Sequence, residues 1–319
     1  MGESLQARAE NTCDEPLVSI IMNCRNGENY LREAIDSIFA QTYANWEIVF
    51  FDNASTDSSE AIARSYGGKL YYFHSAQSMP LGAARNAAIG KARGELIAFL
   101  DTDDRWLPDK LACQTAVFRD CPQVDFVYSN YYILRASTGR TTLGLRKPQP
   151  EGAVFGAFLR HYPVNLQTVM LRGSSLQKLS DLFDPALEVS EEYDLFMRLL
   201  YVSEAHYLNQ PTAVYRVHSN MSSIRHIDKY PVENNYILGK LRSMMPDLEQ
   251  RYPDEVAYLK AKIGYWYAAA YMHKGDSMQA RKSLKSFVWA GPVFFVLYLA
   301  TYFPSVIWNS LLRLKGLFR

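Results

Sequence analysis

The stretch GELIAFLDTDDRWLP, residues 94–108, joins an apolar run directly to a cluster of acids. The run LIAFL has the composition of a buried strand. Asp101, Asp103 and Asp104 then follow within four positions. One alternative is a solvated turn in which Asp104 or Asp109 caps the next helix. Capping employs one acid, however, and this strand is followed by three.

Three neighbouring carboxylates repel one another unless a positive charge neutralises them. Their hard oxygen atoms suit Mg²⁺ or Mn²⁺, and these ions leave coordination positions open for phosphate oxygens. The cluster therefore predicts half of a metal site whose other half is a diphosphate.

Around this stretch, apolar runs alternate with helical patterns at the pitch of βαβ units, which predicts a parallel sheet with helices on both faces. We predict strands at 17–23, 46–51, 69–73 and 95–100, and helices at 31–39, 58–66, 81–92 and 108–118. After residue 124 the rhythm loosens. There we predict a strand or strand pair at 124–134, a turn-rich segment at 135–151, strands at 168–172 and 213–218, and a helix at 190–201.

Composition excludes some classes of function. The 319 residues are 48% hydrophobic, enough for a sizeable core, and the formal net charge of +1 gives no field that attracts nucleic acid. The four cysteines have no CxxC spacing and the N-terminus has no secretory signal, so we expect reduced thiols in a cytoplasmic protein.

Polar residues follow two other predicted strands. Asn23, Arg25 and Asn26 come after the first strand, and Asp52 and Asn53 end the second. In an open parallel sheet, ligands bind beyond the carboxyl ends of the strands. We therefore expect these side chains to share one site with the acid cluster.

A second acid cluster lies in SEEYDLFMRLL, residues 190–200. On a helix, Glu192 shares a face with apolar residues three, four and seven positions later, which is an unusual place for a carboxylate. Asp194 can pair with Arg198 one turn on. A shift of one residue in helix phase would exchange Glu192 with Glu191, and an acid that merely caps the helix is the alternative.

Two segments resemble the inverting glycosyltransferases of family 2, which have the GT-A fold: VSIIMNCRNGENYLREAIDSIFAQTYANWEIVFFDNASTDSS and GAARNAAIGKARGELIAFLDTDDRWLPDKL. The resemblance covers roughly residues 17–220. It implies the Rossmann-like α/β fold of nucleotide-diphospho-sugar transferases, a mixed, mainly parallel sheet with helices on both faces. A C-terminal helical extension follows from the sequence beyond it.

The resemblance also assigns roles. It implies that Asp52 contacts the nucleotide base, that Arg85 lies near the nucleotide, and that Asp101 and Asp103 contact the ribose and a divalent metal. The general base maps onto Glu192, with Glu191 as the substitute.

Other residues complete the expected site. Nucleotide contacts are expected from Asn23, Arg25, Asn26, Asn53 and Thr102. The segment YRVHSNMSS, residues 215–223, is similar to a family segment that closes over the diphosphate, which makes His218 a candidate metal ligand and Arg216 a candidate phosphate ligand. Asp104 and Trp106 are candidates for diphosphate or sugar contacts. The alternatives are that His218 is an ordinary histidine and that Trp106 is a core residue.

One position departs from the family pattern. An aromatic residue that stacks on uracil usually stands where this chain has Arg25. A guanidinium plane can also stack on a base. UDP is therefore favoured as the nucleotide, with GDP and dTDP as alternatives.

The implied reaction is metal-dependent transfer of a sugar from a nucleotide-diphosphate donor to a glycan or lipid-linked acceptor hydroxyl, a hexosyltransferase-type reaction in cell-surface polysaccharide or glycolipid synthesis. The main alternative is a catalytically silent sugar-nucleotide-binding protein with a helical partner or membrane module. A nucleotidyltransferase is a third possibility, but NCRNGEN is a poor phosphate-binding loop for one.

These inferences divide the chain. We expect a disordered 1–16 and a glycosyltransferase domain at 17–230, with a nucleotide-binding half at 17–104 and an acceptor half at 105–230. A helical hairpin region at 231–290 should turn at Gly275 and Asp276.

The last segment, 291–319, is apolar and basic, and residues 287–319 contain no acid. Pro292 and Pro304 divide it into pieces of roughly three turns, which suits interfacial contact better than a spanning helix. A buried or partner-facing helix is the alternative. We expect the protein at the inner face of the cell membrane, as a peripheral protein.

Overall fold

The structure is a computed structural model and describes residues 15–219, 221, 226, 228–303 and 308. The expected disorder at 1–16 falls almost wholly outside these residues, as does most of the segment after residue 303. In chain order, the strands are β1 Val18–Cys24, β2 Trp46–Asp52, β3 Leu70–His74, β4 Leu96–Phe99, β5 Arg105–Trp106, β6 Val124–Arg135, β7 Arg140–Leu143, β8 Met170–Arg172 and β9 Glu204–Val217.

The helices, again in chain order, are α1 Glu28–Phe39, α2 Ser59–Arg64, α3 Leu81–Ile89, α4 Lys110–Asp120, α5 Phe155–Arg160, α6 Glu191–Tyr201, α7 Tyr230–Met244, α8 Leu248–Arg251, α9 Pro253–His273, α10 Ser277–Lys285 and α11 Pro292–Ala300. Short 3-10 helices span Leu166–Thr168 and Gly173–Lys178.

The strands form one mixed sheet in the order β3-β2-β1-β4-β8-β6-β9-β5, with β7 paired to β6. The first four strands run parallel and are joined by helices. β2 is buried along its whole length, as expected for a strand with both faces covered. One face packs with α3, α5 and α6, and the other packs with α1, α2 and α4. The α/β fold inferred from the sequence is confirmed.

The second half departs more from the sequence expectations. β9 begins at Glu204, nine residues before the predicted strand, and pairs parallel with β6 over most of its length. The missed portion contains Asn209, Gln210 and Pro211, at which the register shifts, so no regular pattern marked it. β5, β7 and α5 were also missed because each is short. α4 begins at Lys110 and α3 ends at Ile89, each inside its predicted bounds.

The C-terminal helices pack against the α/β core. Ile237, Leu241, Val256 and Leu259 of α7 and α9 are buried in the same apolar cluster as α6. The predicted hairpin between α9 and α10 turns at Gly275, which has a φ of +80°. Asp276 then caps α10 by accepting a hydrogen bond from the Gln279 backbone at 3.0 Å. Among the described residues, no helix has the length and apolar character needed to cross a bilayer.

Gly94 lies where β4 approaches β1 and leaves no room for a side chain. A Cβ atom there would lie 2.5 Å from the Leu17 carbonyl oxygen and 2.6 Å from the Ser19 nitrogen, both of which are backbone atoms. We expect Gly94→Ala to lower the free energy of unfolding by about 1–3 kcal/mol, as overpacking does elsewhere. The measurement is denaturant unfolding with Gly67→Ala as the control, since a Cβ atom at Gly67 meets nothing within 4 Å. Equal effects of the two substitutions would contradict this account of the sheet.

Candidate active site

The polar residues after β1, β2 and β4 come together at one edge of the sheet. β1 pairs with β2 on one side and β4 on the other, with Cys24 opposite Asp52 in the register. Asp57 holds the first loop, because its carboxylate accepts hydrogen bonds from the backbone nitrogens of Glu28 and Ser59, both at 3.0 Å. Asp57 therefore acts as a helix cap, and the edge lies open between the loops.

Asp52 is 1% exposed and its carboxylate is oriented from two sides. One oxygen accepts the Ser55 backbone N–H at 2.8 Å, and the other accepts the Tyr72 hydroxyl at 2.7 Å. Burial and the Asp52 carboxylate raise the pKa of Tyr72 well above its ordinary value. The sequence analysis did not identify Tyr72, which lies on the partly buried β3 with no motif around it.

Asn53 and Asn26 shape the loops. The Asn53 side chain donates to the Met79 carbonyl at 2.8 Å and accepts from the Met79 nitrogen at 2.9 Å, which holds the segment before α3. Asn26 has a φ of +56° and accepts a hydrogen bond from the Thr56 nitrogen at 2.8 Å. Both groups of the Asn53 amide are therefore engaged by the backbone, whereas Asn26 uses its oxygen, and the nucleotide contacts expected of the two residues stay a prediction.

The structure places three further predicted residues at this edge of the sheet: Asn23, Arg25 and Thr102. Arg25 is exposed. The Asn23 amide nitrogen is buried and has no hydrogen-bond partner within the described residues. Thr102 lies against the β1–α1 loop, because a Cβ atom at Gly27 would come 2.9 Å from the Thr102 hydroxyl.

Asp101, Asp103 and Asp104 offer carboxylate oxygens that all lie within 4.8 Å of one another. Asp101 accepts from the Arg85 guanidinium at 3.0 Å and from the Gln167 side chain at 2.8 Å. The Asp103 carboxylate lies 2.9 Å from Nε2 of His218. The fold thus brings together in one cluster residues that the sequence analysis singled out separately, namely Arg85, the three acids and His218.

The acid cluster carries more negative charge than its protein partners offset. Burial raises the pKa of Asp103, and the Asp101 carboxylate raises it further, although His218 opposes this. Burial and the Asp103 charge hold the pKa of Asp104 well above its ordinary value. A divalent cation between these oxygens would relieve the repulsion, so the donor set fits a metal.

Asp104 lies deeper than its neighbours and joins the cluster to β9. It is 2% exposed and accepts the Arg216 backbone N–H at 2.6 Å. The Arg216 guanidinium bonds the Asp103 carbonyl at 2.9 Å and pairs with Glu33 of α1. These contacts engage one carboxylate oxygen of Asp104 and two guanidinium nitrogens of Arg216, and the expectation that the two residues bind the diphosphate or sugar stays a prediction.

Trp106 lies in the core, which is one of the two alternatives that the sequence left open, and its burial argues against the other, stacking on a sugar. It is 3% exposed, and its ring nitrogen donates to the Gln167 carbonyl at 2.9 Å. The amine of Lys110 lies 4.6 Å from the ring centroid. Lys110 is itself fully buried and bonds the side chain of Gln114, and burial holds the pKa of its amine well below the ordinary value.

Arg85 connects the acid cluster to α6. Its guanidinium is 3% exposed and forms ion pairs with Asp101 on one side and Glu191 on the other. Burial disfavours the charged guanidinium, but the two carboxylates outweigh it and raise the pKa of Arg85 above its ordinary value. Glu191 is therefore engaged in a buried ion pair.

Glu192 differs from Glu191 in the partners of its carboxylate. Within the described residues, no hydrogen bond or ion pair to its carboxylate is present. Burial and the Glu191 charge raise the pKa of Glu192 to about 8, although Arg85 opposes the shift. A carboxylate with a pKa near the working pH is suited to accept a proton.

The structure does not support the argument that Glu192 is distinguished by lying on the apolar face of its helix. α6 is buried on almost every side, including Glu191 and Asp194, so burial does not distinguish one face. The predicted pair of Asp194 and Arg198 is confirmed, with nitrogen–oxygen distances of 3.0 and 2.6 Å. Hydrogen-bond occupancy, rather than helix phase, is what separates the two glutamates.

Tyr162 and Gln167 belong to the site and were not identified from the sequence. The Tyr162 ring packs edge-on against Tyr193, with centroids 4.9 Å apart, and its buried hydroxyl has no partner in the described part of the chain. Burial and then the Glu192 charge raise the pKa of Tyr162 well above its ordinary value. Gln167 is 2% exposed and contacts Asp101 through two hydrogen bonds, both at 2.8 Å.

Known proteins resemble this chain over most of its length. An uncharacterised glycosyltransferase of Rickettsia typhi is 30% identical over 262 residues, which are 78% of this chain and 81% of that protein. The UDP-Glc:alpha-D-GlcNAc-diphosphoundecaprenol beta-1,3-glucosyltransferase WfaP of Escherichia coli is 31% identical over 209 residues, 65% of this chain and 80% of WfaP.

A crystal structure of S. aureus TarS 1–349 in complex with UDP-GlcNAc has the same fold, with a TM-score of 0.65 and 18% identity. The match covers 92% of this chain and 88% of the TarS chain. The family model for glycosyl transferase family 2 matches residues 19–173. Together with the edge of acids at β4 and the glutamate pair on α6, these similarities show that this chain belongs to glycosyltransferase family 2 and is a glycosyltransferase.

Proposed function

We propose that this glycosyltransferase moves a sugar from UDP to a hydroxyl of a lipid-linked saccharide, with inversion and with a divalent metal. The observation that carries the proposal is the pairing made by Arg85. One buried guanidinium holds Asp101 of the donor edge and Glu191 of α6, which places the neighbouring Glu192 beside the acid cluster. The ion pairs of Arg85 therefore connect the helix that carries the proposed proton acceptor with the edge proposed to bind the diphosphate.

The protein residues divide the chemistry between them. Asp103 and His218 would hold the metal, with Asp101 held in place by Arg85 and Gln167. When bound, Mn²⁺ or Mg²⁺ supplies positive charge that stabilises the leaving diphosphate. Glu192 accepts the proton of the attacking hydroxyl from the face opposite the leaving group, so a single displacement inverts the anomeric carbon.

Asp52 and Tyr72 support recognition of the nucleobase. The Tyr72 hydroxyl orients the buried carboxylate of Asp52, which then presents its remaining lone pairs to a base N–H. Arg25 lies exposed at the same edge and can stack on the base through its guanidinium plane. Uracil has the single imide N–H that such a carboxylate accepts.

The acceptor proposal rests on the helical extension and on similarity to WfaP, whose name gives a diphosphoundecaprenol-linked sugar as acceptor. The exposed side of α11 and the turn after it carries the apolar residues Phe295, Val296, Leu299, Tyr302 and Phe303, which recur at helical spacing. Trp289 is 88% exposed and stacks on Phe295 with centroids 6.1 Å apart.

Charge favours an anionic bilayer as the occupant of this apolar face. Residues 277–319 include six Lys or Arg residues and no acid. Aromatic and aliphatic side chains beside basic ones are typical of helices that lie in the membrane interface. We therefore propose a peripheral protein at the cytoplasmic face of the membrane, acting in cell-surface polysaccharide or glycolipid synthesis.

The metal site can be tested by calorimetric titration of UDP, GDP and dTDP with and without Mn²⁺. We expect UDP to bind most tightly and to need Mn²⁺, because Asp103 and His218 would hold the cation and its charge would offset that of the diphosphate. Asp103→Asn should weaken the Mn²⁺-dependent binding by at least about tenfold, while the exposed Asp109→Asn should not change it. Metal-independent binding that Asp103→Asn leaves unaltered would contradict the assignment.

The role of Glu192 predicts a pH dependence. Only the ionised carboxylate accepts a proton, so kcat/KM should rise as the pH increases through about 8, the pKa of Glu192. Glu192→Gln should lower kcat by about 10²–10⁴-fold and leave UDP binding intact. The exposed Glu204→Gln serves as the control. If the wild-type protein binds UDP but transfers no sugar to any acceptor, a catalytically silent sugar-nucleotide-binding protein becomes the better description.

The membrane face predicts a loss of vesicle binding on removal of its exposed apolar side chains. We expect Trp289→Ser with Phe303→Ser to reduce co-sedimentation with phosphatidylglycerol vesicles by about tenfold, because both side chains are more than half exposed and available to the interface. Leu143→Ser removes an exposed apolar residue from β7 and is the control. Full retention of vesicle binding by the double variant would eliminate this face as the contact.

A further inference from the structure

Three basic side chains lie where α5 ends against α9, and none of them has an acidic partner in the described part of the chain. Arg160 and His161 end α5, and Lys262 lies on α9. Among the described residues, no ion pair involves any of the three. A buried ammonium group is usually paired, and Lys262 is buried, so the absence of a carboxylate beside it among the described residues requires an explanation.

The three basic side chains converge on one face of α9. The Arg160 guanidinium lies 5.1 Å from the centroid of the Tyr258 ring, and the His161 ring lies 5.4 Å from it. Lys262 follows Tyr258 by one helical turn and donates to the Arg160 carbonyl at 3.2 Å. Tyr258 and Lys262 thus hold the end of α5 against α9.

Capping of α5 accounts for only part of this arrangement. A lysine near a helix C-terminus can bond the last carbonyls. One carbonyl uses one of the three donors of an ammonium group, however, and Lys262 is 7% exposed. Burial lowers the pKa of Lys262 to about 8, and burial followed by Lys262 and Arg160 lowers the pKa of His161. Arg160 and Lys262 therefore carry the positive charge of the cluster, and His161, whose pKa lies below its ordinary value, contributes a neutral N–H donor.

The position of the cluster relative to Glu192 indicates which anion belongs there. Tyr162 follows His161 directly in the chain, packs on Tyr193, and has a buried hydroxyl without a partner among the described residues. The basic cluster is therefore connected to α6 through Tyr162, whose ring contacts Tyr193, the residue after Glu192. On the other side, the Tyr258 ring packs against Phe294 of α11, with centroids 5.7 Å apart.

These contacts link, in order, α6 with the proposed base, Tyr162, the basic cluster around Tyr258 and the apolar helix α11. A lipid-linked saccharide has the matching order of hydroxyl, sugar ring, phosphate ester and hydrocarbon chain. We infer that Arg160, His161 and Lys262 form a second anion site, distinct from the donor edge, that binds the diphosphate of the lipid-linked acceptor. The inference rests on the proposed function and adds the part of the acceptor that the protein recognises.

Charge-assisted hydrogen bonds from a lysine and a histidine to phosphate oxygens are strong, and Arg160 can add a bidentate contact. The Tyr162 hydroxyl then lies where the acceptor sugar connects the diphosphate to Glu192. An acceptor held at its diphosphate presents its hydroxyl to the base in a fixed position, so binding also orients the reacting group.

Two probes separate the diphosphate from the rest of the acceptor. One is the phenoxyundecyl diphosphate ester of N-acetylglucosamine, and the other is the phenoxyundecyl glycoside of the same sugar without phosphate. Binding of each is measured by calorimetry with UDP and Mn²⁺ filling the donor edge. We expect the wild-type protein to bind the diphosphate probe at least about tenfold more tightly, a difference of the size that charge-assisted hydrogen bonds produce.

Variants of α9 provide the matched comparison. Lys262→Met should remove most of the tenfold preference without changing the affinity for the phosphate-free probe, and Lys262→Arg should retain it. Lys260→Met is the control, because Lys260 lies on the same helix but pairs with Glu249 at 3.0 Å. His161→Gln, at an exposed position, should lower the preference about threefold and keeps the test decisive if Lys262→Met does not fold.

Several results would overturn the inference. Equal affinity of the wild-type protein for the two probes would do so, as would a Lys262→Met variant that loses affinity for both probes alike. Inorganic pyrophosphate that binds as tightly as the diphosphate probe, with the same dependence on Lys262, would indicate a site for a free phosphate. A loss of phosphatidylglycerol vesicle binding on Lys262→Met, with probe binding unchanged, would assign the cluster to bilayer headgroups. Failure of the proposed function is seen separately, as absence of UDP binding, and the probe comparison can be made without UDP.

Discussion

The buried guanidinium of Arg85 is the contact on which the arrangement of the site depends. It lies between Asp101 and Glu191, which come from the donor edge of the sheet and from α6. Removing one partner from a buried charge network commonly costs about 3–5 kcal/mol, because the remaining charges stay in the interior. The two halves of the site therefore cannot move apart independently. Glu192 keeps its position because its neighbour is held, while its own carboxylate stays unengaged.

The two sides of this centre have opposite electrostatic deficits. At the donor edge, burial and mutual repulsion raise the pKa values of Asp103 and Asp104, so a cation is favoured there. At the end of α5, Lys262 and His161 have lowered pKa values and no acidic partner among the described residues, so an anion is favoured there. A donor complexed with a metal and a phosphorylated acceptor would each neutralise one side. Fields of opposite sign also reduce the chance that either substrate enters the wrong side.

Sequence patterns predicted the first half of the fold and the polar residues at its edge. β1, β2 and β4 are near-continuous apolar runs ending in acids or amides, and such runs are recognised without tertiary information. The partners of those residues were not predictable in the same way. Tyr72 and Gln167 reach the site through long-range hydrogen bonds from segments that carry no motif. The sequence left Trp106 open between the core and the site because the burial of an aromatic side chain is decided by its neighbours in space.

Lys110 makes proton uptake part of the folding equilibrium. The amine is fully buried beneath Trp106, and its pKa in the folded protein lies well below that of an exposed lysine. The unfolded chain therefore binds more protons at this side chain than the folded chain between the two pKa values. Stability rises with pH across that interval and becomes constant above the ordinary lysine pKa. Acidification thus acts against the fold through an amine beneath the catalytic edge, in addition to any carboxylate it titrates.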